Sequence, residues 1–557
     1  MKKRLLLFCL ILISQIEQVT AQNTVGLLSY DQTKAFDGYN LMFPHNQPNV
    51  YLIDNCGEIA HMLEDETNFR PGNTVYLTDE GLLYKTKRDA IVANDRMWAG
   101  GGGAILEIRD WDNNLLWDFE MNNDSFRLHH DFTITDKGTI IAIAWELKTA
   151  DECVAAGRDT STLARGEMWP DWIFEIDPVL DSIIWEWHTW DHLVQDFDPS
   201  KANFGVVADH PELIDVNYGR PNGHPDWMHS NSLDYNPLLK QIMLSVPTFD
   251  EVWIIDHTTT TSQAAGHFGG FSNIGGDLMY RWGNPQTYGN GDSTDHFFFF
   301  QHDAHWIDDF LDFSHPQYGK IAVFNNRAGS NYSTVNTIIP PWDMYEWRYL
   351  KADKTFLPTN LDLTITHPDT TKLWSTGMSS TQWLPNGNTL IMSGRFGYAF
   401  ELTPDNEIVW EYKTPLRMGS PATQGDSLSI GNNLTFRMKR YPSDFGAFDG
   451  KDLSGKGWIE LSPDTQFCAQ IISSIEEMDE NAFKVYPNPA SGFLTIEWDG
   501  MFYAHIEVYD MLGHKVAQYR SSGGRKYLDI SSLLEGVYFV TILTENARYS
   551  RKVLIQR

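Results

Sequence analysis

The sequence predicts an all-β protein, a large β-propeller followed by a small β-sandwich. Three observations carry that expectation. Short strand–turn–strand patterns recur through roughly 400 residues with few long helical periods. No linker-like composition interrupts residues 36–470. One break then appears at the acidic run Ile475–Asn481, and a new strand pattern starts beyond it.

The repeated hairpins come first. Ile105–Ile108 leads through a polar turn to Asn114–Asp118, Trp172–Pro178 leads to Ser182–Trp187, and Ala399–Pro404 leads to Glu407–Tyr412. Each second strand carries a Trp, and apolar positions alternate around an Asp or Asn turn, as a hairpin requires. Asp136-Lys137-Gly138 and Pro385-Asn386-Gly387 are further turns in which Gly tolerates positive φ. A propeller closes such sheets radially and protects their edges. The alternative, a series of unrelated sandwiches, would need linkers that the composition lacks. The length of 557 residues gives a prior of three or four domains. That prior overcounts where one large all-β unit is present.

Composition narrows the function classes. The chain has 42 Lys+Arg against 74 Asp+Glu, a net charge of −32. Nucleic-acid binding needs a basic footprint that is missing here, and so does polybasic attachment to a membrane surface. A hydrophobic fraction of 42%, with 20 Trp, 23 Tyr and 31 Phe, supplies ample core and excludes disorder for most of the length.

The N-terminus reads as a secretory signal peptide, residues 1–21. Lys2, Lys3 and Arg4 precede the apolar Leu5–Ile13, and Val19-Thr20-Ala21 is a small-residue cleavage signal. The apolar run is too short for a transmembrane anchor, and no later stretch approaches 18 apolar residues, so a soluble, exported mature chain is expected. Cys9 lies inside the leader without lipidation context. Cys56, Cys153 and Cys468 remain, too few for a disulfide framework, although an exported chain can pair two of them.

After the break, residues 483–557 read as the small sandwich, with 471–482 as linker and 22–470 as propeller. Strands are expected from Val485 and at Phe493–Trp498, His505–Asp510, Lys515–Tyr519, Gly536–Leu543 and Ser550–Ile555. The segments YPNPASGFLTIEW, VYDMLGHKV and LLEGVYFVTI, with the terminal Arg551–Ile555, resemble the type A sorting domain of the type IX secretion system. That resemblance implies export across the outer membrane of a Bacteroidetes-type bacterium, to the surface or medium via the periplasm, with the secretion machinery as partner. The plain alternative is an adhesive immunoglobulin-like module.

Eighteen histidines would mean little if scattered, but several occupy short motifs that open strand pairs. These are His129-His130-Asp131-Phe132, Trp227–Pro237 (WMHSNSLDYNP) and Gln301–Ile307 (QHDAHWI). In a propeller the first strand of each blade lines the central channel, so equivalent positions distant in sequence converge. Clustered imidazoles serve as nucleophiles, as acid and base, or as metal ligands. No HxH or HExxH spacing supports metal, though Asp131 and Asp303 stand close enough in sequence to assist one. No nucleotide or haem motif appears, so no cofactor is expected. Gly100–Gly103 reads as a flexible loop.

HHDF, WMHSNSLDYNP, IIDHTTTTSQAAG, GGDLMYRWGNPQTYG, QHDAHWI and WLPNGNTLIMSG, in this order over about Gly38–Pro415, resemble the PAPS-independent aryl-sulfate sulfotransferases. The resemblance implies a six-bladed propeller that moves a sulfuryl group from an aryl sulfate donor to a phenolic acceptor through a sulfohistidine. It implies His302 as the sulfated residue and His229 and His130 as supporting catalytic histidines, with His129 the rival of His130. Asn231 and Thr381 would contact the sulfuryl group. One departure stands out, because Pro247 occupies the place of an expected sulfuryl-binding arginine and offers neither charge nor backbone donor. Arg281 and Arg395 are the candidate replacements. Two other readings stay open: a catalytically silent propeller binding a sulfated or carbohydrate ligand, and a metal-dependent hydrolase on the same histidines. Trp227 and Trp306 are candidates to sandwich aryl groups.

Overall fold

The computed structural model describes residues 23–468, 483–498, 503–510, 515–522, 524–543 and 548–556. The expected signal peptide and the 471–482 linker lie outside the described residues. The described chain is all-β, and helix is confined to short pieces such as Ala150–Ala155 and Thr261–Ala264.

Residues 26–442 build six larger antiparallel sheets, five of four strands and one of five, with two-stranded ribbons in the connections. One edge strand of each sheet faces a common centre. In chain order these inner strands are Phe69–Leu77, Phe126–Ile134, Ser232–Asn236, His302–Trp306, Ser380–Trp383 and Thr435–Pro442. Each packs beside the next, and the last packs beside the first.

The strands form where the sequence alternates, and both faces of a strand are covered by neighbouring sheets. Gln241–Val246 (QIMLSV) is buried at every position. Ile242, Leu244 and Val246 pack with Ile173, Trp185 and Trp187 of the preceding sheet. Met243 points the other way, to Ala304, Trp306 and Val323 of the following one. Period-two alternation here divides residues between two cores instead of between core and water. The three hairpins read from the sequence are outer strand pairs, with Ile108 opposite Trp117, Phe174 opposite Glu186, and Glu401 opposite Trp410.

Distant segments join the array at both ends. Thr435–Pro442 pairs with Gly38–Pro44 and supplies the inner strand of a sheet otherwise made from residues 38–63. Gly26–Tyr30 adds to Ile408–Lys413 as the fifth strand of the 380–413 sheet. A Cys56–Cys468 disulfide ties the same regions, with Cα atoms 5.6 Å apart. Among the described cysteines, Cys153 is left free and buried.

The inner strands are also stapled side by side. Asp131 Oδ2 accepts from the backbone N–H of Leu233 at 3.0 Å, Asp234 Oδ2 from Trp306 at 2.7 Å, and Asp303 Oδ2 from Thr381 at 2.8 Å. Each aspartate therefore satisfies an amide on the next inner strand, a charge-assisted bond of roughly 1.5–3 kcal/mol. The aspartates that the motifs suggested for metal are committed to this framework.

Residues 483–556 form a three-stranded and a four-stranded sheet. Leu494, Ile496 and Trp498 of the first pack with Ile506, Val508, Val540, Ile542 and Val553 of the second. The strand at Arg525–Asp529 (RKYLD) was not among the expected ones. It carries three charges in five residues and buries only Leu528, so its apolar signal is weak.

Candidate active site

The site is assembled by irregularities in the inner strands. His129–Asp131 lies where the pairing of Phe126–Ile134 shifts register, and His302–His305 spans a similar shift. His130 (φ 50°), His229 (φ 57°) and Asp303 (φ 58°) adopt left-handed backbone without being glycine. Such residues are uncommon, and bulges of this kind re-aim side chains. Here the irregular backbone sends aspartates into the inter-strand staples while the imidazoles gather on one side of them.

His130, His229 and His302 come together. The rings of His130 and His229 stand 4.5 Å apart, centroid to centroid, in an edge-to-face arrangement. Phe300 lies 6.0 Å from the rings of both His229 and His302. Phe436 lies 6.2 Å from His130 and 6.4 Å from His302. Neither phenylalanine was singled out by sequence, although Phe300 directly precedes the QHDA motif.

Hydrogen bonds fix the state of His302. Asn326 Nδ2 donates to the carbonyls of Ser375 at 2.9 Å and Met378 at 2.8 Å, which orients the amide. Its Oδ1 then faces His302 Nδ1 at 2.7 Å, so this nitrogen carries the proton. Nε2 keeps its lone pair. Burial, together with the neighbouring His229, pushes the His302 pKa down to about 3 against the opposing bond to Asn326. His302 is therefore neutral at any physiological pH.

His229 is held differently. Its Nδ1 donates to Asp226 Oδ2 at 2.6 Å, and Arg220 reaches the same oxygen at 3.4 Å. Burial opposes ionisation of Asp226, but the His229 ring and Arg220 outweigh it and hold the carboxyl near about 2. With Nδ1 committed to an ionised carboxylate, Nε2 is the nitrogen left to meet a substrate. His130 is neutral, its pKa pressed well below the usual range by burial and by His229, His129 and His302. His129 lies behind it, Nδ1 to Nδ1 at 2.9 Å, stacked on Trp145 and close to Asp171.

Gly100–Gly103 is not a free loop. A Cβ on Gly101 would meet His130 Nε2 at 2.0 Å, and one on Gly100 would meet His229 Cε1 at 3.8 Å. Gly101, at φ 85°, lets the backbone close over the imidazoles. Gly377 packs similarly beside His302.

The remaining expected residues separate. Asn231 is buried beside His302, with Nδ2 donating to the Gln301 carbonyl at 2.7 Å and Oδ1 without a partner. Thr381 lines a cavity of about 400 Å³ inside the ring of inner strands, together with Asp303, His305 and Arg437, whereas His130, His229 and His302 are absent from its walls. Arg281 does not reach the site. It is fully buried in an outer strand, paired with Glu251 at 2.6 Å and bonded to Leu213 and Thr287, with its charge already compensated. Trp227 and Trp306 are core residues between sheets rather than open platforms.

Cations do approach the histidines, and sequence reasoning missed most of them. Arg327 lies 3.9 Å over the Phe300 ring, and its pKa is lowered by burial and by the nearby Arg220 and Arg395. Three arginines from separate loops thus share one neighbourhood, with Arg395 the one foreseen. Arg437 bridges Asp131 at 2.6 Å and Asp303 at 2.8 Å, forming the floor beneath the imidazoles. No local pattern marks these arginines, because each becomes relevant only through ring geometry.

Residues 90–415, more than half of the chain, match the model of the arylsulfotransferase (ASST) family, and residues 484–556 match the secretion system C-terminal sorting domain. No curated protein matches the chain. Among solved structures it is similar to a protein of unknown function from Bacteroides caccae, at 10% identity and TM-score 0.38, over 72% of this chain and 98% of that one. PorZ, a surface component of the type IX secretion system of Porphyromonas gingivalis, gives 11% identity and TM-score 0.30 over 92% and 68%. Virginiamycin B lyase from Staphylococcus aureus gives 8% identity and TM-score 0.29 over 66% and 93%.

Proposed function

The chain belongs to the arylsulfotransferase (ASST) family, and on that premise we propose that it is an exported enzyme moving a sulfuryl group from an aryl sulfate to a phenol through a sulfohistidine on His302. The reading takes residues 22–470 as a six-bladed propeller, with the cyclic order of the six inner strands as its support. Residues 483–557 are taken as a β-sandwich sorting domain that hands the protein to the type IX machinery for release or surface attachment. No described helix is long and apolar enough to cross a membrane.

The observation that carries the mechanism is the Nε2 lone pair of His302, fixed by Asn326 and set among His130 and His229. Nε2 attacks sulfur, an N–S bond forms, and the bond from sulfur to the aryl oxygen breaks. The departing phenolate takes a proton from His229 Nε2. The acceptor phenol later returns a proton to His229 as its oxygen attacks sulfur and the N–S bond breaks. Two displacements replace one, as in other covalent catalysis. The Asp226 carboxylate steadies the His229 imidazolium in each half-reaction. Charge on the sulfuryl oxygens, as on transferring phosphoryl groups, calls for cations. Arg220, Arg327 and Arg395 are the groups that take over from the arginine missing at Pro247.

The test is rapid mixing of the purified chain with a chromogenic aryl sulfate. A burst of about one phenol per chain is expected, with acid-labile sulfuryl label on His302 and neither in His302→Ala. Absence of phenol release with every donor and acceptor pair tried would overturn the reading. The Pro247 departure favours one alternative, a silent propeller that captures a sulfated ligand. Ligand affinity retained by His302→Ala, without turnover in either protein, is its signature. The metal-hydrolase reading has no matching support, because Asp131 and Asp303 are already engaged by Arg437 and by backbone amides.

A further inference from the structure

A second imidazole cluster lies outside the site just described. His192 follows the strand Ser182–His188, whereas His267 and Asp277 flank the segment that runs on from the helix Thr261–Ala264. Asp277 Oδ1 lies 2.8 Å from His192 Nδ1 and 2.7 Å from His267 Nδ1. These three are the described His, Cys, Asp and Glu groups whose ligand atoms lie mutually within 4.8 Å.

The tautomer of His192 makes the arrangement informative. Its Nε2 lies 2.8 Å from the Ala264 carbonyl, which can only accept, so Nε2 carries a proton. A neutral His192 then presents a lone pair, not an N–H, to the Asp277 carboxylate. Lone pair against carboxylate is repulsive unless positive charge stands between them. The ring cannot turn away. It is fully buried, stacked on Trp187 at 5.4 Å, and capped by Gly276, where a Cβ would meet Nε2 at 2.7 Å. Trp187 Nε1 in turn donates to the Gly276 carbonyl at 2.6 Å, fastening the segment over His192. A ring whose far nitrogen donates to a backbone carbonyl, leaving the near one free, is the usual posture of a metal-ligating histidine.

We infer that His192 Nδ1, His267 Nδ1 and Asp277 Oδ1 bind one divalent transition-metal ion of the zinc class. Two imidazoles and a carboxylate form a three-ligand set of the kind that leaves a further position open. That position faces a cavity of about 910 Å³ bordered by His267, Asp277 and Glu212. Ligand atoms about 2.0–2.1 Å from a tetrahedral ion stand roughly 3.3–3.4 Å apart, so the present spacing must open by about half an ångström. His267, with a side chain 60% exposed, can open its own spacing, whereas the His192–Asp277 spacing opens only if the Asp277 carboxylate shifts. The ion would clamp the segment after Thr261–Ala264 onto the sheet that ends at His188. This inference does not depend on sulfuryl transfer.

The experiment is a zinc titration of the untagged, chelator-treated full-length chain, with Co²⁺ as a spectroscopic substitute. One equivalent of Zn²⁺ is expected to bind and raise the thermal transition, and Co²⁺ to give the visible absorption of a tetrahedral nitrogen–oxygen site. Changing groups behind a metal ligand costs 10–100-fold in affinity, so His267→Ala, which removes a ligand, is expected to lose at least about 100-fold. His267 is exposed, so this variant tests the site even where His192→Gln fails to fold. No stoichiometric binding, or binding unchanged in His267→Ala, would overturn the inference and leave a buried imidazolium paired with Asp277.

Discussion

The two imidazole clusters of this molecule contrast in what holds the second ring nitrogen. At His302 a neutral amide from Asn326 fixes Nδ1–H, and Nε2 keeps its lone pair beside His130 and His229. At His192 a backbone carbonyl fixes Nε2–H, and the free nitrogen faces a carboxylate that a second histidine also contacts. On the two proposals above, the same side chain serves as a nucleophile in one place and as a cation ligand in the other. Its partner decides which. His229 lies between these cases, with a carboxylate on Nδ1 and an open Nε2 suited to moving a proton.

The contrast can be broken by changing partners. The largest effect is expected from His302→Ala, which removes the attacking nitrogen and should lower sulfuryl transfer by at least about 10⁴-fold, with no burst in stopped flow. Asp226→Asn comes next. Without the carboxylate the His229 tautomer and its imidazolium lose their anchor, and turnover should fall by about 10²–10⁴-fold while donor binding persists.

Arg281→Met tests the opposite kind of residue. It strands buried Glu251, so denaturant unfolding should show a loss of about 3–5 kcal/mol, with KM for the aryl sulfate unchanged. A raised KM at unaltered stability would return Arg281 to the site.

Two smaller effects concern pH. The folded pKa of His302, about 3, lies below its ordinary value. The unfolded chain therefore binds more protons between about pH 6.5 and pH 3, and stability falls as the pH falls through that window. His302→Gln should flatten this slope in acid denaturation by up to about 5 kcal/mol. Asn326→Asp places a carboxylate on Nδ1 and favours the imidazolium. The acid limb of the pH–rate profile should then move upward, with about a tenfold loss of rate at pH 5 and recovery above neutrality.

How far the residues could be read in advance follows from where their signals reside. Strand pairs such as Ile105–Arg109 with Leu115–Glu120 are local, since alternation and a turn residue suffice. HHDF, the HSN of WMHSNSLDYNP and QHDA mark the histidines because a strand start is also local. Arg437 stayed invisible because its partners Asp131 and Asp303 lie on other sheets. Asn326, Arg327 and Asp226 stand closer to the site in sequence but carry no motif that marks them. Arg281 and Arg395 illustrate the limit: equally plausible as replacements for the missing cation, they end respectively in a buried outer pair and beside Arg327. Gly100–Gly103 looked featureless until its backbone was seen against His130 and His229.

The amino-acid sequence by itself determined the all-β character, the separate C-terminal unit and the family, because turn chemistry, period-two alternation and contiguous motifs act over a few residues. Only the tertiary structure decided which nitrogen of each histidine is free, which aspartates are occupied, and which cations stand near the imidazoles. Those properties depend on hydrogen bonds and charges between side chains that the fold brings together, three residues apart at Asp226 and His229 and 102 apart at Asp131 and Leu233, and no local pattern records which of them meet.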